Sequence, residues 1–378
     1  MAIVAEKNVF AAGVTSRRQA LGAMGAATSA TMLTGVLSAP AAQAQGPAAT
    51  PLRMPVPPPV LAPRAELVNI LEYEEQARLV LGARAAPILG SDRSITDRIT
   101  LRPRMNIPTT GLDLTANLFG DAHFTPIIVG PMAQQRRFHA EGELATARGA
   151  SAAKAAMVVS SESSVPLADI AQAVTTPLYV QVYAGHPRTK EIGAQAGAVR
   201  ARAVFVTVGA GTSAAGAAMP AGAAINWAAV EQVVKATALP VIVKGVTRPQ
   251  DAREAVARGA RGVVVSNYRG GPAAGLAGTL LLVAPIVQAV GDRVPVLVDG
   301  SFRRGTDILK ALGFGAKGVL IGRPVMWGLA AYGADGVQGV VEMLQTELAR
   351  YMCMCGRPSL AALDPSVVRV HAPRPMAR

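Results

Sequence analysis

From residue 124 onward the chain alternates short apolar, β-branched runs with segments of helical periodicity. The runs cover residues 125–130 (TPIIVG), 156–160 (AMVVS), 178–183 (LYVQVY), 204–208 (VFVTV), 240–244 (PVIVK), 262–266 (GVVVS), 294–299 (VPVLVD) and 318–322 (GVLIG). Each is almost continuously apolar, as strands buried on both faces are. Helical patterns fall between them, for example over 141–153, 229–236, 249–258, 279–290 and 305–312. Eight such units in roughly 230 residues predict an α/β fold of the (β/α)8 TIM-barrel type, as one domain over 65–365. A doubly wound sheet is the alternative, but it gives no reason for eight evenly spaced repeats.

The first 64 residues break this rhythm. Ser16-Arg17-Arg18 precedes an uncharged run, 20–39, rich in Ala, Gly, Thr and Met, and Ala42-Gln43-Ala44 has the small-x-small form of a cleavage site. A twin arginine before so mild an apolar run predicts a Tat signal over 1–44 and a periplasmic or extracellular protein. The Tat route exports folded proteins, which hints at a tightly bound prosthetic group. Seven prolines between Pro47 and Pro63 predict an extended linker over 45–64, and 366–378 reads as a tail. No other stretch is apolar and long enough to span a bilayer.

Hydrophobic residues are 51% and charged residues 16% of the 378, which excludes intrinsic disorder. The net charge of +13 raises the question of an anionic partner. Its cations are scattered (200–202, Arg253, Arg258, the 371–378 tail) and aromatics are 4%, so no nucleic-acid surface is expected. The four histidines have no metal-ligand spacing. His186 follows the third run and is a candidate for the mouth of a pocket. The two cysteines, Cys353 and Cys355, cannot form a disulfide framework and do not face each other on a helix.

Barrel chemistry sits at the C-terminal ends of strands. Those ends read Pro131, Ser160-Ser161, Tyr183, Thr207, Lys244, Ser266-Asn267, Asp299-Gly300 and Gly322-Arg323. The ring is polar and suits a ligand carrying an anion. The seventh end, VDGSFRRGTD, and the eighth, IGRP, fall where barrels cradle phosphate. Gly300 and Gly322 permit close backbone approach, helix starts donate N–H groups, and Arg303 or Arg304 with Arg323 supplies charge. Lys244, ending an apolar run, could hold a developing anion, form a Schiff base, pair with phosphate or pair with a carboxylate such as Asp299.

The segments LPVIVKGV (239–246), VVVSNY (263–268), VPVLVDGSFRRGTDILKALGFGAKGVLIGRPVMWGLAA (294–331) and CGRPSLAAL (355–363) resemble the FMN-dependent α-hydroxy acid dehydrogenases and oxidases, the family of glycolate and lactate oxidases. ITLRPRMNI (99–107) and HAEGELATARGA (139–150) extend the resemblance, which runs from Leu67 to Leu363. It implies FMN as cofactor and a homo-oligomer, a tetramer, with the helix over 340–350 as a candidate for its contacts. Pro131, Met132 and Ala133 match a segment along the flavin ring. Ser160, Gln181 and Thr207 match groups bonding its edge. Lys244 matches the lysine that stabilises the anionic reduced ring. Ser266, Asp299, Gly300, Ser301 and Arg303 match ribityl and phosphate contacts, completed by Gly322 and Arg323.

The substrate half departs from that pattern. Family members read S-N-H-G-G-R after the sixth strand, where the histidine is the base and the arginine holds the substrate carboxylate. Here the match is Ser266-Asn267-Tyr268-Arg269-Gly270-Gly271, which puts Tyr268 and Gly271 at those positions. The aspartate expected after the fourth strand is Gly209, a substrate tyrosine falls near Ile88, and the following loop shrinks to an Ala/Gly-rich stretch, 210–224. Tyr183 survives. A tyrosine titrates near ~10, far from the near-neutral value a general base wants. Tyr268, Lys244 and Tyr183 are therefore the catalytic candidates, with Tyr183 and Arg269 as substrate contacts. The expectation is an exported FMN-dependent oxidoreductase with an altered substrate site, acting on a small molecule such as a 2-hydroxy acid and passing electrons to an unidentified acceptor. The alternatives are an FMN-binding redox carrier without hydroxy acid oxidation, or a barrel enzyme using its ligand for non-redox chemistry.

Overall fold

The computed structural model describes residues 60–90, 93, 95–104, 107, 110–209, 224–268 and 278–372. The predicted signal, most of the linker, Arg269, Gly271 and the end of the tail lie outside them.

Helix α1 (Ile70–Leu81) opens the fold. Asn69 and Glu72 form a capping box at its start, and Ile70, Tyr73, Ala77 and Leu81 bury one face. Two short antiparallel pairs follow the chain's entry. Strand β1 (Ile99–Leu101) pairs with β12 (Val368–Val370), and β2 (Ala116–Leu118) pairs with β3 (Asp121–His123). Residues 368–370, expected as tail, are thus part of the fold, because β1 offers them a ladder and Val367 is buried beside it. At the other end, the Ala62 carbonyl accepts from the Tyr332 hydroxyl, so the last linker residues also dock.

The eight runs are the strands β4 (Ile127–Val129), β5 (Ala156–Ser160), β6 (Leu178–Tyr183), β7 (Val204–Thr207), β8 (Val241–Val246), β9 (Gly262–Val265), β10 (Val296–Asp299) and β11 (Gly318–Ile321). They close into an all-parallel barrel in sequence order. The doubly wound alternative is excluded. Helices α2 (Glu143–Ala152), α3 (Leu167–Ala173), α4 (Thr189–Ala198), α5 (Trp227–Ala236), α6 (Pro249–Ala257), α7 (Val283–Val290), α8 (Gly305–Gly313) and α9 (Arg323–Met354) follow the strands. The predicted helix over 279–290 begins with a 3-10 turn, Leu280–Leu282, before α7.

The period of two along each strand places the site. Ile128, Ala156, Val158, Tyr179, Phe205, Ile242, Val264, Leu297 and Leu320 fill the barrel interior, with Leu118 from β2 at the closed end. Two residues further along the same inward rows come Ser160, Gln181, Thr207, Lys244, Ser266, Asp299 and Gly322. A dry apolar layer therefore carries a polar layer directly above it, at the C-terminal mouth.

Helix α9 breaks at Tyr332-Gly333. Its second half buries Val340, Val341, Leu344 and Leu348 and packs against α1, α2 and α8. The apolar face of the helix over 340–350, the candidate for oligomer contacts, packs inside the chain, and its other face is the part left for such contacts.

Candidate functional site

A hydrogen-bonded chain crosses three adjacent strands at the mouth. The Ser160 hydroxyl donates to Gln181 Oε1 at 3.0 Å, and Gln181 Nε2 donates to Thr207 Oγ1 at 2.9 Å. All three are buried, so each rotamer is fixed by its neighbour rather than by water.

Lys244 lies on the next strand. Its ammonium donates to Ser266 Oγ at 3.1 Å, sits 2.7 Å from Asp299 Oδ2, and lies 5.1 Å from the centre of the Tyr268 ring. Of the four readings open for Lys244, the described residues show the carboxylate pair. The register of β8 against β9 shifts between Lys244 and Val246. Gly245, at φ +110°, makes that bulge, and a Cβ there would meet the Val208 carbonyl oxygen at 2.3 Å. The sequence offered no way to separate this bulge glycine from an ordinary one. Ser266 also accepts from the Tyr268 backbone N–H at 3.3 Å. The Tyr268 side chain is exposed.

The turn after β10 and the start of α9 form the cationic end. Asp307 organises the turn. Its carboxylate accepts from the backbone N–H groups of Arg303 and Arg304, at 2.9 and 3.0 Å, and from both ends of the Arg93 guanidinium. Gly300, at φ +108°, brings its backbone close to Thr279, leaving 3.1 Å for any Cβ. Ser301 also takes a positive φ, +32°. The two candidate arginines separate cleanly. Arg304 turns away to Glu347, whereas Arg303 is 2% exposed and lines the cavity. Its Nη1 donates to the Phe302 carbonyl and its Nη2 to the Gly90 carbonyl, while its buried Nε has no partner among the described residues. Arg323 Nη1 also donates to the Gly90 carbonyl. Burial, then the nearby Arg323 charge, pushes the Arg303 guanidinium down to about 9, and burial lowers Arg323. Both guanidiniums are held where an anion would relieve them. Gly322 starts α9 with no side-chain cap, so its first N–H groups add to the same field.

A cavity of about 360 Å3 joins these features. It brings together Pro131, Met132, Lys244, Tyr268, Asp299, Gly300, Ser301, Arg303, Gly322 and Arg323. Ser160, Gln181, Thr207 and Ser266 lie in the polar layer but not in its lining, and neither Ala133 nor Tyr183 lines it. Tyr183 is buried at the end of β6, paired in register with Thr207. Asn267, named among the polar strand ends, lines the wall, whereas sequence reasoning missed Pro87 and Phe302 there. Pro87 comes from a 3-10 segment far away in sequence and carries no local signal.

The remaining candidates stay outside the site. His186 accepts from the Arg188 N–H and lies away from this cavity. His123 is buried in the barrel floor against the Tyr179 hydroxyl, at 3.0 Å, and burial lowers its pKa. Cys353 and Cys355 are free thiols, and burial pushes Cys355 up, away from thiolate chemistry. Among the described residues no cluster could hold a metal ion, and no helix is long and apolar enough to cross a membrane.

The chain matches the family model described as FMN-dependent dehydrogenase over residues 79–216 and 209–370. It is 32% identical to a peroxisomal (S)-2-hydroxy-acid oxidase of Oryza sativa subsp. japonica, over 81% of this chain and 97% of that one. It is 33% identical to an L-lactate oxidase of Nostoc sp., over 80% and 98%. Among solved structures, mandelate oxidase with (S)-2-phenylpropionate superposes with a TM-score of 0.72 at 33% identity, covering 80% of this chain and 98% of that one.

Proposed function

The chain belongs to the FMN-dependent dehydrogenase family, and from that premise we propose that it is an exported oxidoreductase with an altered substrate site. FMN is its cofactor, and the cavity suits it. The orphaned Arg303 Nε, the close-approaching Gly300 backbone and two partly desolvated guanidiniums at one end fit a phosphate. Arg303, Arg323, Gly300, Ser301 and Gly322 would hold that phosphate, and Asp299 and Ser266 the ribityl chain. Pro131, Met132 and Ala133, with Ser160, Gln181 and Thr207, would hold the ring. When bound, FMN supplies the two-electron acceptor for substrate oxidation.

The chain's own residues set what that oxidation can use. Lys244 presents a buried cation, held by Asp299 and Ser266 at the cavity wall, where it would stabilise the anionic reduced ring. Tyr183 and Tyr268, with Arg269, would orient the substrate, the Tyr268 ring lying 5.1 Å from the Lys244 ammonium. The observation that carries the reading is this Lys244–Asp299–Tyr268 cluster beside the arginine cradle, in one cavity, with Ser266 bonded to Lys244 behind it. Tyr268, Gly271 and Gly209 stand where the resemblance expects a histidine base, a carboxylate-binding arginine and a supporting aspartate. The substrate or its proton-transfer step therefore differs from the family norm. The same three residues favour a second reading, a redox carrier that kept the flavin site and lost hydroxy acid oxidation.

The absorption spectrum of purified protein tests both. A flavin spectrum that bleaches anaerobically with L-lactate, glycolate or mandelate identifies ordinary hydroxy acid oxidation and refutes the altered site. Flavin that bleaches with none of these, yet takes electrons from other donors, supports the altered or carrier readings. Colourless protein that takes up no FMN sinks both. Export rests on Arg17-Arg18 and Ala42-Gln43-Ala44, and a mature N-terminus at Gln45 in a periplasmic or extracellular fraction is its test.

A further inference from the structure

Trp327 does not line the cavity and was not itself singled out from the sequence for chemistry, yet two of its contacts converge on the cradle. It is fully buried on the first half of α9, four residues after Arg323 and so on the same helical face. Its ring lies under the Arg303 guanidinium, 4.6 Å from centroid to Cζ. Its indole N–H donates to the Ile88 carbonyl at 2.8 Å. Two residues further on, the Gly90 carbonyl accepts from both Arg303 and Arg323, and the Gly90 N–H is itself held by Glu74 Oε1 at 2.6 Å.

We propose that Trp327 is a positioning residue for the cofactor phosphate. It fixes the plane of the Arg303 guanidinium by stacking, and fixes its rim by anchoring the 88–90 backbone whose carbonyl both arginines share. A guanidinium offers five N–H donors in one plane. Two of its nitrogens are committed to the Phe302 and Gly90 carbonyls, so once the plane is set the direction of the orphaned Nε is set too. The stacked face also replaces part of the hydration that Arg303 loses at 2% exposure. The arginine therefore meets the phosphate already oriented, with little rotamer freedom left to lose on binding.

The inference rests on the cradle taking the FMN phosphate, and the test separates the two claims. Apoprotein is titrated with FMN and with riboflavin, which has the same ring and ribityl chain but no phosphate, and flavin fluorescence gives both dissociation constants. The ratio of riboflavin to FMN Kd isolates the phosphate contribution. Trp327→Leu removes the stacking face and the N–H. Trp327→Phe keeps an aromatic face, though a smaller one, and loses the N–H. The expected result is a ratio lowered about tenfold by Trp327→Leu and about threefold by Trp327→Phe, with riboflavin affinity changing less. A wild-type ratio near one overturns the cradle itself. A large wild-type ratio that neither variant changes overturns only the role of Trp327, as does equal weakening of both flavins, which is what loss of packing alone would give. Should Trp327→Leu lose its circular dichroism spectrum, Trp327→Phe decides by the same ratio.

Discussion

The Lys244–Asp299 pair makes a quantitative test of how the mouth is built. Lys244 is 4% exposed and its ammonium is 2.7 Å from the carboxylate, while the Asp299 side chain keeps 19% of its exposure. Breaking a buried pair by removing one partner costs ~3–5 kcal/mol, because the other charge is left behind without water. The two single variants should therefore differ. Asp299→Asn strands the more deeply buried ammonium and should cost the full ~3–5 kcal/mol. Lys244→Met strands a carboxylate that still reaches solvent, and should cost less, about 2–3 kcal/mol. At ~1.5 °C per kcal/mol for a domain of this size, Lys244→Met lowers Tm by about 3–5 °C. The double variant, Lys244→Met with Asp299→Asn, leaves no unpaired charge and should be less destabilised than the sum of the two, by at least ~1 kcal/mol. Thermal melts of cofactor-free protein at one pH and salt concentration measure all four corners of the cycle. Additive losses, or a Lys244→Met variant worse than Asp299→Asn, would refute the reasoning, because the pair would then not be held by mutual charge in a dry layer.

Three further outcomes follow from separate parts of the fold. Gly245→Ala puts a Cβ 2.3 Å from the Val208 carbonyl at φ +110°, and should cost about 1–3 kcal/mol of stability together with weakened FMN binding as Lys244 shifts; an unperturbed melt contradicts the bulge. Burial lowers the His123 pKa in the fold, so the unfolded chain takes up that proton first as pH falls through ~6.5. The fold keeps its full stability above that value and loses it between there and the lower folded value, so the acid slope of Tm should shrink in His123→Asn. Tyr268→Phe removes one substrate hydrogen bond of ~1 kcal/mol and should lower kcat/KM roughly fivefold on whichever substrate bleaches the flavin; unchanged turnover reduces Tyr268 to packing.

The barrel was legible because its physics is local and repeated. Strands buried on both faces must be apolar throughout, and this chain writes that pattern eight times, with ends that match the observed strands to within a residue or two. The polar layer was legible for the same reason. Once the interior row Ile242 is known, the period of two makes Lys244 the next inward residue, and Leu297 leads in the same way to Asp299. The parts that were not legible depend on contacts between segments far apart in sequence. The residue pattern around Arg303 and Arg304 does not by itself say which one enters the cavity, and only the resemblance picked out Arg303. That choice is made by Glu347 on α9, which takes Arg304, and by Trp327 and Gly90, which take Arg303. Nor does PVIVKGV announce that its glycine is a bulge, since the reason is a carbonyl on the neighbouring strand. The same division bears on function. The cofactor half of the site is built from strand ends and helix starts, which the fold fixes, so the sequence pattern picks it out. The substrate half hangs on the loops after β7 and β9, where Gly209, Tyr268 and Gly271 stand at the positions that the resemblance gives to an aspartate, a histidine and an arginine. A barrel that separates its cofactor frame from its substrate loops can change what it oxidises while keeping the group that does the oxidising.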